Sequence, residues 1–128
     1  MKRILVAEDN DSNYMLMTYV LKKNYEFFRA RNGQEAVEMA LSEKPDLVLM
    51  DIKMPVMDGL EATRRIRALS HPDAKNVPII AMTANVFDED VERSMEAGMN
   101  AHLSKPVEPE RLYETMTRLI MERSDQDT

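Results

Sequence analysis

The sequence predicts an α/β fold in which five helices flank a doubly wound, five-stranded parallel sheet. Apolar runs of strand length alternate with segments of helical period five times along the 128 residues. Three of these runs are apolar throughout, which is typical of strands that helices cover on both faces. A chain of this length fits a single domain, and no internal repeat divides it.

The strands are predicted from the apolar runs. The first, third and fourth runs are continuous, the second is weaker and centres on Phe27-Phe28, and the fifth is short. In chain order the predicted strands cover residues 4–7, 26–31, 47–50, 79–82 and 101–104.

The helices are predicted from apolar residues at helical spacing. In chain order they cover residues 14–23, a segment from the turn at 32–33 to about 44, a segment from Gly59, a segment from about 86 to 98, and a segment from about 109. We expect the fifth helix to bury four apolar side chains, Leu112, Met116, Leu119 and Ile120. We expect the third helix to expose three arginines, Arg64, Arg65 and Arg67.

Composition excludes several classes of function. Lysine and arginine total 17 and aspartate and glutamate total 23, so the formal net charge is −6, which argues against nucleic acid as a partner. The absence of cysteine excludes disulfides and thiol chemistry and fits a cytoplasmic location. Two histidines are too few for a histidine zinc site, and the three glycines form no dinucleotide or Walker A motif. No apolar run approaches the roughly 20 residues of a membrane span, so a membrane is not an expected partner.

Reactive or charged residues follow the predicted strands at the point where each strand ends. Glu8 and Asp9 follow the first strand, Asp51 the third, Thr83 the fourth and Lys105 the fifth. The carboxyl ends of parallel strands lie along one edge of a sheet, where ligands bind. We therefore expect three carboxylates, one hydroxyl and one ammonium to share a single pocket.

Three carboxylates in one pocket repel each other and resist ionising together. Two cations could offset this repulsion: the ammonium of Lys105, and a hard divalent ion such as Mg²⁺, which prefers carboxylate oxygens and water. A pocket completed in this way suits phosphoryl transfer, with one aspartate as the nucleophile that forms an acyl phosphate.

At these residues the sequence resembles a response-regulator receiver domain. The motifs that carry the resemblance are Glu8-Asp9, Asp51-Ile52-Lys53-Met54-Pro55 with Asp58-Gly59, Ala81-Met82-Thr83-Ala84, and Lys105-Pro106. The resemblance covers about residues 2–121, and the amino-acid sequence of its motifs is most similar to receivers attached to hybrid histidine kinases. It implies a flavodoxin-like fold of the receiver type over residues 1–122, followed by a polar tail at 123–128.

The resemblance implies a role for each residue of the pocket. Asp51 is implied as the phosphoacceptor. Glu8, Asp9, Asp51 and the backbone carbonyl of Lys53 are implied as the Mg²⁺ site. Thr83 and Lys105 are implied to contact the phosphoryl group, with a cis peptide bond between Lys105 and Pro106.

The resemblance also implies partners. The phosphodonor is a phosphohistidine on a histidine kinase or a histidine phosphotransfer domain, and a downstream protein or fused domain reads a change in the surface of the fourth helix, fifth strand and fifth helix. We expect the donor to dock beside the pocket, where four residues open the first helix: Asn10, Ser12, Asn13 and Met15. A plain capping role for Asn10 or Ser12 is the alternative.

One position departs from the family pattern. The family usually has tyrosine or phenylalanine three residues before the lysine, and this chain has His102. His102 is either a switch residue coupled to Thr83 or an ordinary half-exposed strand histidine. Lys53 and Asn85 either tune the access of water to the acyl phosphate or are solvated loop residues, and Met54 and Met57 are candidate contact residues.

Two other functions remain open at this point. An aspartate-nucleophile phosphatase would use a second aspartate two residues after the first as its general acid–base, but here that residue is Lys53. A receiver-shaped binding module that takes no phosphoryl group is the third possibility, although the complete set of pocket residues argues against it. We expect self-catalysed transfer to Asp51 and autodephosphorylation, and no turnover of small substrates.

Overall fold

The computed structural model describes residues 1–84 and 88–126, without the side chains of residues 88–90 and 124–126. Its five strands are β1 Lys2–Ala7, β2 Tyr25–Ala30, β3 Leu47–Asp51, β4 Ile79–Thr83 and β5 Ala101–Ser104. They form one parallel sheet in the order β2-β1-β3-β4-β5. The predicted sheet is confirmed, and every predicted strand is present.

The helices of the described residues are α1 Asp11–Tyr19, α2 Gly33–Ser42, α3 Gly59–Arg67, α4 Pro72–Lys75, α5 Asp88–Ala97 and α6 Pro109–Gln126. The five predicted helices correspond to α1, α2, α3, α5 and α6. The first residues of the predicted fourth helix, with Asn85, lie outside the described residues. None of the described helices has the length and apolar character that crossing a membrane requires.

The structure adds one short helix and shifts another. The four-residue α4 lies between the predicted third helix and the predicted fourth strand, where the sequence predicts no helix, and Pro72 starts it because proline is favoured in a first helical turn. Helix α1 begins at Asp11, earlier than predicted, because the Asn10 side chain accepts a hydrogen bond of 2.9 Å from the backbone N–H of Asn13. The capping role of Asn10 is thereby confirmed.

The last helix extends beyond the expected boundary of the folded domain. Helix α6 continues to Gln126, through most of the predicted tail at 123–128. The guanidinium of Arg123 donates to the backbone carbonyl of Asp46 at 3.2 Å and to that of Pro45 at 3.5 Å. These bonds hold this part of α6 against the segment before β3, and the domain boundary at residue 122 stays a prediction.

Apolar side chains fill both faces of the sheet. One cluster packs α1 and α6 against the sheet, and the four apolar residues predicted for the fifth helix are buried in it. The other cluster packs α2 and α3 against the opposite face. Because β1, β3 and β4 have buried residues on both faces, their positions in the sheet are set by both clusters and their carboxyl ends align.

The prediction of a solvated arginine face on α3 is wrong for Arg67. Its guanidinium donates to the carbonyls of Lys75 at 2.8 Å and Val77 at 2.7 Å. It also donates to the carbonyl of Gly98 and to the side chain of Asn100, both at 2.9 Å. Arg67 therefore joins α3 to the segments before β4 and β5, while the other two arginines of that face are exposed.

Candidate functional site

Three acidic side chains meet at the carboxyl edge of the sheet. Glu8 and Asp9 directly follow β1, and Asp51 is the last residue of the neighbouring strand β3. One carboxylate oxygen from each of the three lies within 4.8 Å of the others. Glu8 and Asp51 are buried, and Asp9 is exposed. The convergence predicted from the strand ends is confirmed for all three residues.

Lys105 places an ammonium between two of these carboxylates. Its Nζ lies 2.9 Å from Oδ2 of Asp51 and 3.2 Å from Oε1 of Glu8. Its backbone N–H donates to the carbonyl of Thr83 at 2.8 Å, which fixes the residue at the end of β5. The Lys105–Pro106 peptide bond is cis, as the resemblance implied.

The charges of this cluster shift the pKa values of two groups. Burial raises the pKa of Glu8 above its usual range, and the hydrogen bond and charge of Asp51 raise it further, so that Lys105 offsets the shift only in part. Burial lowers the pKa of Lys105, but the hydrogen bonds and charges of Asp51 and Glu8 outweigh it and leave that pKa raised. One ammonium therefore does not fully compensate the buried carboxylates.

The cluster fits a hard divalent cation. Oε2 of Glu8 is buried and has no hydrogen-bond partner, which is costly for a carboxylate oxygen. The other acidic oxygens lie close enough to bind one ion together with it. Carboxylate and carbonyl oxygens are the ligands that Mg²⁺ prefers.

These groups open into one pocket of about 880 Å³. Thr83 and Lys53 line it as predicted, Thr83 from the end of β4 and Lys53 from an exposed position after β3. Asn10 and Asn13 line it from the side of α1. Arg93 of α5 lines it as well, and sequence reasoning missed it because Arg93 follows no strand.

Two glycines hold the loop between β3 and α3. A Cβ at Gly59 would lie 2.3 Å from the backbone oxygen of Asp51, so only glycine fits without displacing the backbone. A Cβ at Gly33 would lie 2.2 Å from the carbonyl oxygen of Met57, which accepts the N–H of Gly33 at 3.0 Å. Met54 and Met57 are half-buried against the core, so they are less available as contact residues than we expected.

Other candidates lie apart from the carboxylates. His102 is half-buried on β5 and lines a separate pocket of about 220 Å³ with Glu108 and Arg111. Met15 is exposed on α1. Asn85 lies outside the described residues.

Comparison with known proteins places these features in a family. A family model for the response regulator receiver domain matches residues 4–117. The polar-differentiation response regulator DivK of Brucella anthropi is 37% identical over 116 residues, which cover 90% of this chain and 93% of that protein. The hybrid signal transduction histidine kinase I of Dictyostelium discoideum is 36% identical over 125 residues, which cover 93% of this chain and 7% of that protein.

Solved structures agree with these relatives. The receiver domain of the sensor histidine kinase PA1611 from Pseudomonas aeruginosa has a TM-score of 0.85 and 38% identity, covering 93% of this chain and 97% of that one. A magnesium ion is coordinated in its active-site cleft. A CheY-like response regulator receiver domain protein from Methanospirillum hungatei has a TM-score of 0.87 and 28% identity, covering 98% of both chains.

Proposed function

The chain belongs to the response regulator receiver domain family, and on this basis we propose that Asp51 accepts a phosphoryl group from a phosphohistidine. The donor is a histidine kinase or a histidine phosphotransfer domain. The observation that carries the proposal is the position of Lys105 Nζ, which lies 2.9 Å from Asp51 and 3.2 Å from Glu8 beside the acidic cluster. An ammonium at this position stabilises the oxygens of a phosphoryl group that arrives on Asp51.

The transfer is a displacement at phosphorus. A carboxylate oxygen of Asp51 attacks the phosphorus atom, an O–P bond forms, and the P–N bond to the donor imidazole breaks. The imidazole keeps the electron pair of that bond and takes a proton from solvent. Lys105 then pairs with one phosphoryl oxygen, and the hydroxyl of Thr83 donates to another. Attack by water on the acyl phosphate later returns Asp51 to its free form.

The same proposal assigns a Mg²⁺ site to Glu8, Asp9, Asp51 and the backbone carbonyl of Lys53. The unpartnered Oε2 of Glu8 and the closeness of the three carboxylates support this assignment. When bound, Mg²⁺ neutralises negative charge on the transferring group. The magnesium ion in the cleft of the related PA1611 receiver is in keeping with it.

The proposal also covers how the module is used. The donor approaches over the start of α1, where Met15 is 65% exposed and Asn10 and Asn13 line the pocket. The surface of α5, β5 and α6 changes on phosphorylation and is read by another protein or a fused domain, with His102 as a candidate switch. The module works in the cytoplasm, in keeping with its lack of cysteine.

Intact-mass measurement with acetyl phosphate and Mg²⁺ tests the phosphoacceptor. We expect a species heavier by about 80 Da, the mass of one phosphoryl group, in the wild type. Asp51→Asn should abolish this adduct, and the matched variant Asp58→Asn, at an exposed carboxyl of the same pocket, should keep it. An adduct that survives in Asp51→Asn would remove Asp51 from its role.

Two further outcomes separate the competing functions. Failure of the wild type to form an adduct with any donor would favour a binding module without phosphate chemistry. Catalytic turnover of a small phosphate ester would favour a phosphatase-like enzyme, which we do not expect of a signalling module.

A further inference from the structure

An arginine on the edge strand holds the segment that carries the acidic pair. Arg29 is the next-to-last residue of β2, and its Nε donates to the backbone carbonyl of Glu8 at 2.9 Å. Its Nη1 donates to Oδ1 of Asp11 in the first turn of α1 at 2.6 Å. One guanidinium therefore joins the end of β1 to the start of α1, on either side of Asp9.

Arg29 occupies a position where the strand pattern favours an apolar side chain. Side chains alternate along β2, and Tyr25 and Phe27 on the same face as Arg29 pack into the core cluster under α1. The Arg29 side chain is only 14% exposed, and its Nη2 is buried without a hydrogen-bond partner. Its partner Asp11 is 74% exposed, and ion pairs at the surface contribute little to stability, so stability alone does not account for this arginine.

The backbone contacts indicate what Arg29 controls. The N–H of Glu8 donates to the carbonyl of Ala30 at 3.0 Å, and the carbonyl of Glu8 accepts from Arg29. Both backbone polar groups of Glu8 are thus held by the end of β2. The carbonyl of Glu8 shares a peptide plane with the nitrogen and Cα of Asp9, so its orientation fixes the position of the Cα from which the Asp9 side chain leaves the backbone.

We propose that Arg29 is a positioning residue for metal binding, which orients the Glu8–Asp9 peptide so that both carboxylates face one cation. This inference rests on the Mg²⁺ site of the proposed function. Loss of a residue that orients metal ligands typically lowers metal affinity about 10-fold to 100-fold. The positive charge of Arg29 acts in the opposite sense, because removing a cation near the cluster favours Mg²⁺.

Two methionine variants separate positioning from charge. Arg29→Met removes the charge and the bond to Glu8. Arg31→Met removes a charge that pairs with the same Asp11 at 3.3 Å, but the Arg31 side chain is 62% exposed, and Asp11 is its one ion-pair partner in the described part of the chain. Calorimetric titration with Mg²⁺ and the melting temperature without metal are measured for both variants and for the wild type.

We expect Arg29→Met to bind Mg²⁺ at least about tenfold more weakly than the wild type, with a loss of metal-free melting temperature too small to account for the weaker binding. Arg31→Met should bind Mg²⁺ as tightly as the wild type or slightly more tightly. Arg29→Lys keeps the charge but has one ammonium in place of a guanidinium that donates to Glu8 and Asp11 through two different nitrogens. Its Mg²⁺ affinity should therefore fall between those of the wild type and Arg29→Met.

Three results would overturn the inference. The first is Mg²⁺ affinity in Arg29→Met equal to that in Arg31→Met. The second is a loss of metal-free stability in Arg29→Met that is large enough to explain all of its weaker Mg²⁺ binding and that is restored in Arg29→Lys. Arg29 would then be a purely structural residue. The third is a wild type that binds no Mg²⁺, which contradicts the proposed metal site itself, whereas the first two leave that site intact.

Discussion

Replacing Lys105 by methionine tests the electrostatics of the pocket directly. The variant keeps a stem of similar length but removes the ammonium that lies 3.2 Å from Glu8 and 2.9 Å from Asp51. Glu8 is fully buried, and its charge then has no ion-pair partner among the described residues. Protonation of Glu8 is the least costly response of the folded protein, and its cost sets an upper limit on the destabilisation.

The size of that limit follows from the ordinary pKa of Glu8, which is 4.5. Each pH unit above this value makes protonation costlier by about 1.4 kcal/mol, so Lys105→Met can lower the free energy of unfolding by at most roughly 3 kcal/mol at about pH 7. We expect a smaller loss than this limit, because the pKa of Glu8 is already raised in the wild type, which therefore bears part of the cost. The direction of the pH dependence of stability follows from the raised pKa of Glu8. A carboxyl whose pKa is raised on folding binds more protons in the folded state, so its contribution to stability is lost as pH rises through the raised pKa.

Urea unfolding of metal-free protein at several pH values measures this effect. The difference between Lys105→Met and the wild type should be small near about pH 5 and grow by up to about 1.4 kcal/mol per pH unit toward neutrality. Mg²⁺ should stabilise the variant more than the wild type, because it replaces the missing charge. Lys53→Met, exposed at the rim of the same pocket, serves as the control. A difference that does not depend on pH, or that is no larger than in the control, would refute this reasoning.

Three further predictions concern contacts of Gly59, Arg67 and Asp58. Gly59→Ala should destabilise the fold by about 1–3 kcal/mol in thermal unfolding, because its Cβ meets the backbone of Asp51, and an unchanged melting temperature would contradict the close approach. Arg67→Met should lower the free energy of unfolding by about 2 kcal/mol or more, since it leaves the carbonyls of Lys75, Val77 and Gly98 without this donor. The exposed Arg64→Met should change the free energy of unfolding by less than about 0.5 kcal/mol. Asp58→Ala should lower the free energy of unfolding by about 1 kcal/mol, because it removes the N-terminal cap of α3, whereas Asp58→Asn keeps a capping side chain and should leave that free energy almost unchanged. Equal losses of stability in the two variants, measured by urea unfolding, would exclude capping as the reason.

The acidic cluster could be predicted from the sequence because its residues mark where apolar runs stop. Parallel pairing brings such positions to one edge without any knowledge of the loops, and Glu8, Asp51 and Lys105 do meet there. The residue types also limited the chemistry, since three carboxylates and a lysine have few uses other than binding a cation and a phosphoryl group.

The arginines could not be predicted in the same way. Arg67 stands next to buried Ile66 on an otherwise charged helix face, so periodicity alone assigns it to solvent. Its partners are backbone carbonyls of distant segments, and these leave no trace in the residue types of the sequence. The same holds for Arg29, whose main partner is the carbonyl of Glu8. Contacts between long side chains and backbone atoms can be identified only when the path of the chain is known.

The paired glycines give the pocket one rigid side. Gly33 and Gly59 bring backbone so close to Met57 and Asp51 that a side chain at either glycine position would have to displace it. The carboxylate of Asp51 instead opens into the pocket that Thr83 lines from the end of β4. Under the proposed function, a phosphoryl group on Asp51 would therefore be accommodated on the Thr83 side, while the backbone on the glycine side keeps its close contacts.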